Sequence, residues 1–109
     1  MNENGQNKFF KEPFHTSAFR HLPAEAKLIR EEVFMREQGF SEEFDETDAK
    51  AVHILLFFGQ KAIGTCRYFQ RGDLWFIGRV AVLHEFRGKG CGKMLLQAAE
   101  REIVNRGGN

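Results

Sequence analysis

Apolar positions along this chain alternate between two spacings, and the switches between them mark out its elements. From Leu22 to Phe40, "LPAEAKLIREEVFMREQGF", apolar residues return at Leu22, Ala26, Ile29 and Val33. Steps of three and four positions give one buried face of a helix. Pro23 suits the first turn, Glu25 favours the positive end of the helix dipole, and Gly39 supplies a stop. "AVHILLFF" (51–58) is continuously apolar over a length that suits a buried strand. "KAIGTCRYFQR" (61–71) follows after a short Gly59-Gln60 turn, so the two runs predict a hairpin. Arg71-Gly72-Asp73 makes the next turn, and "LWFIGRVAVL" (74–83) predicts a further strand. Leu95, Leu96, Ala99 and Ile103 mark one face of a second helix, which Gly107 and Gly108 end. Ahead of all these, "FFKEPFHTSAF" (9–19) predicts a first strand, confined by Pro13 to an edge or a bend. Strand, helix, three strands, helix is an α/β (α+β) layered domain over residues 9–109, preceded by a flexible polar N-terminus at 1–8.

The bulk numbers narrow this picture only a little. At 109 residues the chain makes one domain, and 42% apolar residues with twelve Phe promise a core in which Phe and Trp75 are the simplest members. Sixteen basic and fifteen acidic side chains leave a formal charge of +1, which argues for neither nucleic acid nor a membrane as partner. Cys66 and Cys91 lie far apart, without metal-ligand spacing, so no metal is expected. No apolar run approaches the ~18 residues that span a bilayer, and "MNENGQNKFFKEPF" has no apolar signal segment. A soluble cytoplasmic protein is the expectation.

The chemistry concentrates between the last strand and the last helix, in "RGKGCGK" (87–93). A helix start exposes unpaired N–H groups and a partial positive charge. Gly88, Gly90 and Gly92 let the backbone curl around an anion without side chains in the way, and Arg87, Lys89 and Lys93 add positive charge. The same spacing also describes a tight turn with solvated basic residues. Two familiar phosphate loops fail the count. A Walker loop needs Ser or Thr after Gly-Lys, but Met94 follows Gly92-Lys93, and Arg87 stands where its first Gly belongs. The dinucleotide fingerprint, counted from Gly88, meets Lys93 at its third glycine.

A third pattern does fit. Arg87-Gly88-Lys89-Gly90-Cys91-Gly92 after Val80-Ala81-Val82 closely resembles motif A of the Gcn5-related N-acetyltransferases, Arg/Gln-x-x-Gly-x-Gly/Ala after a strand. "REEVFMREQGFSEEFDETDAKAVHILLF" resembles the first helical segment and second strand of a bacterial acyltransferase subgroup with Val-Phe-x-x-Glu-Gln before an acidic stretch. The resemblance implies a three-layer α/β/α fold with a mixed, mostly antiparallel sheet. It implies acetyl-coenzyme A as cofactor, with its pyrophosphate on Arg87, Gly88, Lys89, Gly90, Cys91, Gly92 and Lys93 and its pantetheine arm along Val80, Ala81 and Val82. The backbone N–H of Val80 would polarise the thioester, and the acceptor would be a small-molecule or peptide amine that attacks directly.

The proton acceptor is less determined. Glu37, beside Gln38 at the end of the first helix, is the leading candidate base. Glu42, Glu43, Asp45, Glu46 and Asp48 either attract an ammonium substrate or form a solvated loop. His53, in an apolar strand, reads as a hydrogen-bonded core histidine, while His84 packs or touches cofactor. Family members continue past this helix with a fifth strand that completes the cofactor slot, and with a helix that often carries a tyrosine acid; Tyr68 lies in the wrong segment for that role. The expectation is a shortened chain. The alternatives are a homodimer through the open sheet edge, a non-catalytic coenzyme A-binding fragment, and a small interaction domain.

Overall fold

The computed structural model describes residues 13–40 and 44–108. The predicted flexible N-terminus, and Glu42 and Glu43, lie outside the described residues. Four strands, β1 (Phe14–Phe19), β2 (Val52–Phe58), β3 (Lys61–Arg71) and β4 (Leu74–Val82), form one sheet in the order β1-β2-β3-β4. Each neighbouring pair is antiparallel. Two-residue turns join β2 to β3 and β3 to β4, where Gly59 and Gly72 sit at φ +62 and +64, a region costly for other residues. Helix α1 (Ala24–Arg30) passes without a break into a wider π-type winding over Glu31–Glu37, and Gly39 ends it at φ +75. A short α2 (Glu46–Lys50) precedes β2, and α3 (Cys91–Asn105) follows β4. Among the described residues no helix is long and apolar enough to cross a membrane.

The pleat sends alternate residues of β2 to opposite faces, which builds two cores. Val52, Ile54 and Leu56 pack with Ile63, Cys66 and Tyr68 against Leu95, Ala98, Ala99 and Ile103 of α3. Leu55 and Ala81 pack on the other side against Ala26, Ile29 and Val33 of α1. The sheet therefore lies between two helical layers.

Two expectations need correction. Leu96 does not belong to the buried stripe of α3; it is 40% exposed, and Ala98 takes the place beside Leu95. One residue is a rotation of about 100° on a helix, enough to carry Leu96 off the sheet. Nor do the phenylalanines make the core, since none of those described is fully buried. Ala98 and Ala99 let α3 lie close to β3, where a Cβ on Gly64 would stand 3.1 Å from Leu95. The described phenylalanines instead pack at the edges of the two cores, Phe14 and Phe86 on the α3 side and Phe19, Phe34 and Phe57 on the α1 side, and some pair as rings, as Phe14 does with Phe58 and Phe69 with Phe76.

β4 is not regular. Thr65 pairs with Ala81 and Arg67 with Gly78, so Arg79 and Val80 together oppose the single residue Cys66. This is a β-bulge, and Arg79 takes it up at φ +50. The bulge changes which positions face α3: Trp75 and Ile77 before it, Val80 and Val82 after it.

Within the acidic stretch, Asp45 and Asp48 are built into the fold. Asp45 caps α2 in a reciprocal box with Asp48, Asp48 N–H donating to Asp45 Oδ1 and Asp45 N–H to Asp48 Oδ2. The Asp48 carboxylate is buried and also accepts from Arg30 Nη1 (2.9 Å), Arg30 Nη2 (3.3 Å) and Arg67 Nη1 (2.7 Å). Burial alone would raise its pKa, but the two guanidiniums prevail and hold it below the usual carboxylate value. Asp45 is held low in the same way, with Arg67 overcoming the cost of desolvation. Glu46 is exposed. His53 is a core histidine, its Nε2 2.8 Å from the Asp48 carbonyl, and burial lowers its pKa.

Candidate functional site

Where β4 leaves the sheet, its last residues, the loop after it and the end of the first helix enclose an open cleft of about 320 Å³. Its lining comes from Val33 and Gln38, from Val80, Ala81 and Val82, and from Arg87, Gly88, Gly90, Cys91 and Gly92. Each part is there for a local reason. The π-type winding brings residues five apart to one side, and Val33 and Gln38 are spaced so. The bulge takes Arg79 and Val80 out of step with β3 just where the cleft begins. A turn of 3-10 helix at His84–Phe86 then carries the chain round, with Phe86 N–H donating to the Leu83 carbonyl and Arg87 N–H to that of His84.

Three glycines enter the loop for two different reasons. Gly88 and Gly90 both stand at φ +78, where a side chain is strained. Gly92 has no such φ, and a Cβ added to it would meet nothing within 4 Å. The backbone does not require glycine there; what its absence of side chain leaves is space in the cleft.

The start of α3 is built for an anion. Gly90 is its N-cap and has no side chain to cap with, so the N–H groups of the first turn receive no side-chain acceptor. No acidic residue stands in that turn, where the dipole ordinarily favours one, and Lys93 is there instead. Positive charge at the positive end of a helix is unfavourable until an anion joins it. Lys89 and Lys93 are exposed and lie beside the cleft lining.

Among the described residues, Arg87 is the only side-chain cation in the lining. Its Nε donates to the Val82 carbonyl (2.9 Å) and its Nη2 to Glu37 Oε1 (2.5 Å). Glu37 and the loop, fifty positions apart in sequence, therefore meet. Cys91 is buried, and burial raises its pKa against the opposing charge of Lys89, which keeps it a thiol and not a nucleophilic thiolate. His84 is exposed and outside the lining. Tyr68 lies in the α3-side core, donating to Glu102 Oε1 (2.6 Å), with burial and Glu102 pushing its pKa up to about 12.

Sequence reasoning passed over Val33 as a lining residue, because helical spacing assigns it to the core alone. It also passed over the bulge, whose signal was present: apolar residues at 75 and 77 and then at 80 and 82 imply one inserted residue.

Comparison with known proteins agrees with this architecture. The acetyltransferase (GNAT) family model matches residues 12–109. The uncharacterized N-acetyltransferase YjcF of Bacillus subtilis (strain 168) is 32% identical over 85 residues, covering 76% of this chain and 61% of its own length. This chain thus spans about three fifths of that relative. A Lactobacillus plantarum protein assigned as an N-acetyltransferase has a similar structure, with TM-score 0.77 and 29% identity over 86% of this chain and 69% of that one. The fold also recurs in N-acetylglutamate synthase from Neisseria gonorrhoeae, solved with coenzyme A and N-acetyl-glutamate. That match has TM-score 0.63 and 17% identity, and covers 86% of this chain and 24% of that one.

Proposed function

Because this chain belongs to the acetyltransferase (GNAT) family, we propose that its cleft binds acetyl-coenzyme A and serves transfer of the acetyl group to a primary amine. One observation carries the reading: the cleft joins an uncapped, acid-free helix start to a bulged strand end through glycines, one of which the backbone does not need. The residues present fit the cofactor. Backbone N–H groups from Gly88 to Lys93 would hold the pyrophosphate, with Lys89 and Lys93 adding charge at the mouth. The peptide groups of Val80, Ala81 and Val82 would hold the pantetheine arm, as an added strand is held by an edge.

When bound, acetyl-coenzyme A supplies an acyl group already activated as a thioester. The chain's own contribution is geometric and electrostatic. The bulge takes Val80 out of regular pairing with β3, and its N–H would polarise the acyl oxygen as negative charge develops there. A fixed backbone donor of this kind is worth about 3 kcal/mol in the transition state, from the cost of removing one such donor. The attacking amine must be neutral, and its proton leaves to water or to a carboxylate near the cleft.

The test is titration of the purified chain with acetyl-coenzyme A by calorimetry, with Gly90→Asp as control. Saturable binding that the control abolishes, followed by thiol release with some member of a panel of amines, is the expected outcome. Binding without thiol release from any amine would leave a coenzyme A-binding domain and remove the transferase. No binding at all would remove the cofactor as well.

A further inference from the structure

Glu37 was singled out in the sequence as a candidate base, yet its carboxylate is already occupied by Arg87. That contact has a definite geometry. A guanidinium has five N–H donors in a planar fork. In Arg87, Nε donates to the Val82 carbonyl and Nη2 to Glu37 Oε1. These two donors lie along one side of the fork, so the side chain is anchored twice on a single edge. Three N–H donors remain: the second hydrogen of Nη2 and one hydrogen of Nη1 lie along the end of the fork, and the other Nη1 hydrogen lies on the side of Cδ. Arg87 lines the cleft between the end of β4 and Gly88.

From this geometry we infer that Glu37 is a positioning residue: it holds Arg87 so that the unused end of the guanidinium is presented to the cofactor's diphosphate. The inference rests on the cofactor reading above. Arg87 and Glu37 are both only partly covered, with side-chain exposures of 41% and 24%. An arginine so exposed and held at one point would sample many rotamers, and ordering it on binding would cost affinity. Two anchors remove most of that cost beforehand. The bond to Glu37 is charge-assisted and directional, and Arg87 stands as the neutralising group between the carboxylate and an incoming anion. The π-type winding serves the same end, since it sets both Glu37 against Arg87 and Gln38 against the cleft.

A base and a positioning residue are separable. The experiment compares the wild-type chain with Glu37→Ala, Arg87→Ala and the double variant, measuring Kd for acetyl-coenzyme A, KM and the pH profile of kcat. Because the pair is at the surface, all four proteins should unfold at similar temperatures, which a melting curve checks. Glu37→Ala is expected to raise Kd and KM about tenfold, 1.4 kcal/mol. The double variant should bind no more weakly than Arg87→Ala alone, since Glu37 acts only through Arg87, and the pH profile of kcat should keep its shape. Unchanged Kd with loss of the acidic limb would make Glu37 the base and overturn the inference. Tighter binding in Glu37→Ala would overturn it too, showing that Glu37 competes with phosphate for Arg87. Strictly additive losses would do the same. Absence of binding by the wild-type chain is a different failure, because it removes the cofactor reading itself.

Discussion

The loop from Arg87 to Lys93 and the cluster of Arg30, Asp48 and Arg67 are both dense in charge, and they are opposites. In the cluster every charge finds its complement inside the protein. The Asp48 carboxylate accepts from two arginines and a backbone N–H, and Arg30 is 1% exposed. At the loop the donors outnumber what the chain offers them: an uncapped helix start, no acid in its first turn, and two exposed lysines. A run of charge therefore points to a ligand only where its complement is missing from the fold. By that standard Asp45 and Asp48, which in the sequence compete with the glycine loop for attention, are architecture.

The sharpest way to break this contrast is to remove the complement on the closed side. Asp48→Ala removes the carboxylate that the buried Arg30 and Arg67 share, with Asp45 still beside Arg67, and should cost about 3–5 kcal/mol of stability. Urea denaturation should show a lower midpoint with an unchanged slope. At low temperature, where the variant is still folded, its affinity for acetyl-coenzyme A should be that of the wild type. Lost affinity in the folded variant would mean the cluster belongs to the site after all.

The open side gives the reverse pattern. Gly92→Leu places a side chain in empty space without backbone strain and improves local helix propensity, so the melting temperature should not fall. Affinity for acetyl-coenzyme A should nonetheless drop by roughly 100-fold, or about 2.7 kcal/mol. Gly90→Leu is the companion: at φ +78 it should lose about 1–2 kcal/mol of stability as well as affinity. If Gly92→Leu binds normally, the space at that position is not the ligand's.

The two regions also differ in how far the sequence discloses them. The range 61–71 read as a strand is β3 to the residue, because the turns that flank it are local signals. The cleft loop was legible for the same reason, since consecutive glycines with basic neighbours carry their chemistry in one short stretch. What stayed hidden depends on pairs far apart in the chain. Arg30 and Arg67 meet Asp48 across 18 and 19 positions, and nothing in the sequence ties them. Helix α2 had a local sign, an Asp three residues before another, but the surrounding charges made it read as loop. The π-type winding has no residue signature, and with it the meeting of Glu37 and Arg87 was out of reach.

A smaller and more local effect separates the regions by pH. Burial lowers the pKa of His53 from its usual 6.5, against the favourable influence of Asp48 and with Arg30 and Arg67 reinforcing it. Below pH 6.5 the unfolded chain therefore binds a proton that the folded chain refuses, and stability falls as pH descends toward the lower folded value. Asp48 and Asp45 act in the same direction further down. Their folded pKa values lie below the usual 3.8, so their stabilisation is complete above that pH and is lost as pH falls through the folded values. Acidification should thus lower the melting temperature in two stages, the first beginning near pH 6.5. His53→Gln, which keeps a donor for the Asp48 carbonyl but cannot titrate, should erase the first stage and leave the second. The glycine loop contributes to neither stage, so Gly92→Leu should follow the wild-type curve throughout. A first stage that survived in His53→Gln would assign it to a histidine outside the cluster, and the closed region would lose its claim to set the acid sensitivity of the fold.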